Sequence, residues 1–173
     1  MWLKKFQEAY GLLNEFKYRQ VTETDREVTY RFNTSKYEYE VAFENTSHGW
    51  EIIFGVLVNG EIDTTIVVGE SGEIRELLET IFNNILTDFI KLNLEYESEF
   101  NILLAPQLME GESSSLSPFE RKRGRLYLRK IKETVANNSF YKGLEVTYSL
   151  SKFYPPCIVM GIQKITRDQD QLN

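Results

Sequence analysis

The sequence predicts an α+β fold: a single domain with an antiparallel meander sheet covered by an apolar helix, a second basic helix and a C-terminal strand pair. Three observations predict it. From Val28 to Val58 apolar residues recur at every second position, and from Ile74 to Ile90 they recur at spacings of three and four. The segment from Arg121 to Lys132 holds 7 of the chain's 20 basic residues and none of its 26 acidic ones. A period of two marks a strand with one buried face, and a period near 3.6 marks a helix with one apolar stripe.

The elements follow in order. Trp2, Phe6, Ala9, Leu13 and Phe16 place an amphipathic helix over 2–17. Val28, Tyr30 and Phe32, then Tyr37, Tyr39, Val41 and Phe43, read as two strands joined across residues 33–36. After a turn over 44–49, Trp50, Ile52, Phe54, Val56 and Val58 form a third strand. Asn59 and Gly60 are the pair favoured in two-residue hairpins, so the chain is expected to return as a fourth strand from Ile62 to Val68. One face of this meander needs cover. The helix over 74–90 supplies it, with Ser71 as its N-cap and Glu73 and Glu76 suited to the positive end of its dipole.

Phe100, Ile102 and Leu104 predict a short fifth strand, and residues 106–117 a flexible loop. Ser117, Pro118 and Glu120 then fit the N-cap, N1 and N3 positions of a capping box opening the basic helix, which Asn137 and Asn138 end. Phe119, Arg123, Leu126, Tyr127, Ile131, Thr134 and Val135 line one face of it; Arg121, Lys122, Arg125, Arg129 and Lys132 occupy much of the rest. Alternation from Leu144 to Leu150 and the run from Cys157 to Ile165 predict the closing strand pair. With 173 residues, 42% hydrophobic and 13% aromatic, the chain can fill one core. The expected domain covers 1–166, followed by a polar tail over 167–173.

Composition narrows the function. One cysteine, Cys157, allows no internal disulfide and no cysteine-based zinc site. The N-terminus has no apolar core of a signal peptide, and no stretch nears the roughly 20 apolar residues of a membrane span. A soluble, cytoplasmic protein without membrane association is expected. His48 is the one histidine and sits in a turn-forming segment, so it reads as a turn residue rather than as a catalyst. The segment over 69–73 has the place of a phosphate-binding turn but lacks its glycine pattern, and its two glutamates would repel an anion. Tyr30, Phe32, Tyr37, Tyr39 and Phe43 could stack nucleic-acid bases, yet the acidic Glu38 and Glu40 stand beside them where such a face would want Lys or Arg, which favours a core role. No catalytic constellation, metal site or cofactor motif is visible.

The basic segment is different. Without it the body keeps 13 basic residues against all 26 acidic ones. Such polarity is either a solvated helix neutralising the acidic body or a contact surface for an anionic partner. The second reading makes Arg121, Lys122, Arg125, Arg129 and Lys132 the binding residues. The expectation is a non-enzymatic protein that binds a protein or assembly partner with an acidic surface. Its alternatives are nucleic-acid binding by the same helix and a small metal-dependent hydrolase or nuclease. Sheet edges at either end of the meander would also allow pairing with a second copy.

One resemblance adds to this. Tyr30-Arg31-Phe32, the aromatic strand from Tyr39 to Phe43, Trp50 to Phe54, Gly69 to Phe89, Asn101 to Leu104, and Arg123 to Arg129 follow one another in an order that resembles small uncharacterised proteins of tailed bacteriophages. The resemblance covers about residues 28–135, and the loop over 106–117 departs from it. It implies a phage-encoded accessory protein, virion-associated or directed at the host, and lends no catalytic residues.

Overall fold

The computed structural model describes residues 16–64, 74–151 and 156–165. Four strands form an antiparallel meander, β1 (Tyr18–Glu23), β2 (Glu27–Asn33), β3 (Glu38–Thr46) and β4 (Gly49–Val58), of which β2, β3 and β4 are the first three expected strands. The register sets three cross-strand rows on one face: Val28–Phe43–Ile52, Tyr30–Val41–Phe54 and Phe32–Tyr39–Val56. Of these nine side chains only Phe54 is more than 5% exposed. Cross-strand aromatic and β-branched neighbours of this kind fix the register, because a one-residue slip would turn the whole set to the other face.

Asn59 and Gly60 both take positive φ, 51° and 80°, the type I′ geometry whose twist suits a hairpin. They return the chain into the short β5 (Glu61–Asp63), paired with the last residues of β4. Helix α1 then crosses the sheet. It consists of Ile74–Leu78, a π-helical stretch Glu79–Ile85, and Leu86–Asn93. Leu77, Ile81, Phe82, Ile85, Leu86, Phe89 and Ile90 are all fully buried. Phe89 stacks flat on Phe43 at 4.0 Å and meets Trp50 edge-on at 5.1 Å; Phe82 meets Phe54 edge-on at 5.6 Å.

Because α1 carries the chain back over the sheet, β6 (Glu99–Leu104) lies parallel to β4, pairing Trp50 with Ile102. Helix α2 (Lys122–Asn137) and a 3-10 turn (Ser139–Gly143) lead into β7 (Leu144–Leu150), the outer strand, and β8 (Ile158–Lys164) fits between β6 and β7. The result is one eight-stranded sheet, ordered β1-β2-β3-β4-β6-β8-β7 with β5 beside the end of β4. The other sheet face carries the ion pairs Arg31–Glu40 at 3.0 Å and Arg19–Glu38 at 3.6 Å.

Several expectations change in detail. The meander has its three expected strands over 28–58, preceded by a further strand, Tyr18–Glu23, which was not expected. The expected strand over 62–68 appears as Glu61–Asp63, with 65–68 outside the described residues. Of the helix expected over 2–17, residues 1–15 lie outside them, and Phe16 and Lys17 are not helical. Ser71, Glu73 and the tail over 167–173 also fall outside. The C-terminal strand pair forms and joins the main sheet through β6.

The aromatic seam between β3, β4 and α1 sets the stability. Phe89→Ala should lower unfolding free energy by about 3–5 kcal/mol in urea titrations. Tyr96→Ala, at a side chain 74% exposed, should change it by less than about 0.5 kcal/mol.

Candidate functional site

The start of α2 is set from outside the helix. The expected capping box forms in part, since the Glu120 carboxylate accepts from Ser117 N–H at 3.2 Å. It closes a turn ahead of the helix, in which Ser117 O accepts from Glu120 N–H and Arg121 N–H. The helix proper begins at Lys122, with Arg121 at the N-cap in extended conformation and making no side-chain cap. The missing cap comes from the loop: Glu112 accepts from Lys122 N–H at 3.0 Å and from Met109 N–H at 2.8 Å. A carboxylate there meets both a free amide and the positive end of the helix dipole. Gly124 is buried, and a Cβ on it would lie 1.9 Å from Pro118 O. Only glycine lets the helix pack this close to the preceding turn.

Tyr127 fixes the rotation of α2. Its ring sits 5.3 Å from Phe54 and 5.4 Å from Phe82, and burial pushes its phenol pKa up while Arg123 beside it opposes the shift. Ile131 and Thr134 are buried one and two turns on. At about 100° per residue, Arg123 and Lys130 then both lie along one flank of the packed face. Lys122, Arg125, Arg129 and Lys132 fall within roughly 40° of the direction opposite Tyr127.

The seven basic side chains divide accordingly. Arg121 donates from Nε to Leu116 O at 3.2 Å and from Nη1 to Pro106 O at 2.8 Å. Arg123 donates to Thr64 O at 3.3 Å. Lys130 pairs with Glu79 of the π-helical stretch and lies 3.6 Å from Glu133; its side chain is 13% exposed and that of Glu79 14%. These three hold the helix in place. Lys122, Arg125, Arg129 and Lys132 are exposed and make no ion pair among the described residues. Lys132 Nζ lies 5.3 Å from the centre of the Tyr148 ring. Of the five binding residues read from the sequence, four share one outward face, and Arg121 is turned inward to the loop.

The other candidates fall into place. His48 lies in the β3–β4 turn, its backbone N–H on Thr46 Oγ1. Cys157 is a buried free thiol whose pKa burial raises. Tyr30, Phe32, Tyr39 and Phe43 are core residues, and only Tyr37 of that ladder is substantially exposed, at 41%. Among the described residues no group of three His, Cys, Asp or Glu could hold a metal ion. No helix among them is long and apolar enough to cross a membrane. Searches of protein-family models, curated proteins and solved structures find no match to this chain.

Neighbouring cations on α2 should behave oppositely on substitution. Lys130→Met, which strands the half-hidden Glu79 carboxylate, should cost about 3 kcal/mol of unfolding free energy. Arg129→Ala should stay within about 0.5 kcal/mol in the same denaturant titration.

A pH dependence follows from Glu112. The amides of Met109 and Lys122 hold its carboxyl below its ordinary value of 4.5. The stability it adds is therefore complete above that value and disappears as the pH falls through the lowered one. Glu112→Gln should flatten this part of the acid limb in melting experiments across that range, and an unchanged limb would remove Glu112 as the cap.

Proposed function

We propose that this chain is a non-enzymatic interaction protein that docks an acidic surface of a protein or assembly partner onto the outward face of α2. The observation that carries this reading is the division of one cationic segment. Three of its side chains are used inside the molecule, while Lys122, Arg125, Arg129 and Lys132 stand together on the face opposite Tyr127. They span about 15 Å of helix. Four cations on a rigid element, none in an ion pair among the described residues, in a chain of formal net charge −6, steer an oppositely charged surface into register. The resemblance of its segment order to small phage proteins suggests a phage-encoded accessory factor, virion-associated or directed at the host.

Nucleic acid suits the same face less well. Four of the five aromatic rings that could have stacked bases, Tyr30, Phe32, Tyr39 and Phe43, are in the core. Four cations can also neutralise only four phosphates, which limits the slope of log affinity on log salt to about −3.6. Glu112 beside Lys122 and Arg125 weakens the field at the N-terminal end of the stripe.

Capture from host-cell extract, using wild-type protein and the Arg125→Glu, Arg129→Glu double variant as baits, tests the proposal. The wild type should retain acidic proteins that the variant loses, with affinity for a captured partner falling at least about tenfold. Neither should be retained on duplex DNA at low salt. Identical captured sets would remove α2 as the contact face, and DNA retention confined to the wild type would transfer it to nucleic acid.

A further inference from the structure

A cavity of about 720 Å³ opens where the sheet splits. β4 pairs with β6 only at Trp50 and Glu51, and with β5 only from Val56 onward. Between them Ile52, Ile53, Phe54 and Gly55 have no strand on that edge among the described residues, and all four line the cavity. Phe54, Leu78, Leu104 and Leu126 give it apolar walls, and Tyr127 closes the side toward α2. Its size falls in the range of roughly 300–1,000 Å³ common to small-molecule sites.

Its charge is one-sided at the α2 end. Arg121 and Arg123 both line the cavity and both are half-buried. Each guanidinium carries five N–H donors. Arg121 engages two of them on Leu116 O and Pro106 O, and Arg123 one on Thr64 O. All three acceptors are neutral carbonyls. No carboxylate lies within ion-pair distance of either arginine among the described residues. Glu51 also lines the cavity, but the charge that acts on it is that of Glu44 beside it on the sheet. Two partly desolvated cations with spare donors favour an anion, and the planar fork of arginine matches a carboxylate. Apolar walls beside that anion site favour a hydrocarbon body.

We propose that this cavity binds an amphipathic carboxylate, its head group held by Arg121, Arg123 and the Tyr127 hydroxyl and its hydrocarbon body against Phe54, Leu78 and Leu104. The site is separate from the outward stripe and uses the two arginines that the stripe lacks.

Isothermal titration calorimetry with decanoate and decan-1-ol tests it on the full chain. Decanoate should bind once per chain, and the alcohol, of equal chain length without the charge, at least about tenfold more weakly. Arg123→Gln should weaken decanoate by about tenfold and leave the alcohol unchanged. Tyr127→Phe keeps the ring between Phe54 and Phe82, so it gives a second readout should Arg123→Gln not fold, and should weaken decanoate several-fold. The Arg125→Glu, Arg129→Glu variant should bind decanoate as the wild type does. Equal affinity for acid and alcohol would overturn the proposal. So would decanoate binding untouched by both cavity substitutions, loss of binding in the stripe variant alone, or no binding below about 1 mM.

Discussion

The seating of Tyr127 between Phe54 and Phe82 is the contact on which the functional half of the molecule depends. α2 reaches the core through a narrow face, with Gly124, Ile131 and Thr134 as its buried residues. A helix docked so narrowly could roll, and a roll of about 100° in either sense would turn two of its outward cations toward the core. Tyr127 stops the roll by filling the space left by one ring from the sheet and one from the π-helical stretch. Along one flank, Lys130 is tied by its ion pair with Glu79 and Arg123, two turns nearer the N-terminus, by its bond to Thr64 O. Buried ion pairs seldom add much net stability, because desolvation offsets their attraction. Their directionality suits this position, where orientation is at stake.

A second consequence concerns charge economy within the fold. Basic residues are outnumbered in this chain, 20 against 26 acidic ones, and the sheet face away from the helices is rich in glutamates. Glu27, Glu44 and Glu51 stand side by side across β2, β3 and β4, and burial together with Glu44 raises the Glu51 carboxyl above its ordinary value. Like charges directly opposite on neighbouring strands are unfavourable. The cations that could relieve them are concentrated on α2, which packs on the opposite side of the sheet with Tyr127 against Phe54. The resulting separation of charge across the sheet gives the molecule a basic side and an acidic side, the polarity first visible in the run from Arg121 to Lys132.

Much of this was legible in the sequence, for identifiable reasons. The rows Val28–Phe43–Ile52 and Tyr30–Val41–Phe54 announce themselves because every second side chain must be apolar to be buried on one face. The helix from Ile74 onward does the same at its own period. The outward face of α2 could be read from spacing alone, since Lys122, Arg125, Arg129 and Lys132 share an angular sector however the helix is packed. β1 escaped notice because its side chains are mostly exposed, so Tyr18 to Glu23 shows no alternation. Pairing of β4 with β6 could not be read, since it depends on a crossover that no local pattern specifies. Arg121 was assigned to the outward face because the capping box placed the helix start at Ser117. The structure delays that start to Lys122, where Glu112 caps it, and Arg121 becomes a tie to the loop. Lys130 went unremarked, although its place beside Tyr127 on the helical wheel marks it as a packing residue.

Amine reactivity tests the rotation of α2 most directly. Under limiting acetylation of the native protein, followed by peptide mass spectrometry, Lys122 and Lys132 should react as fast as the exposed Lys142, and Lys130, between them in sequence, should react far more slowly. Reaction of Lys130 at the rate of its two neighbours would mean that α2 is not held in this orientation, and the outward cationic face would lose its structural basis.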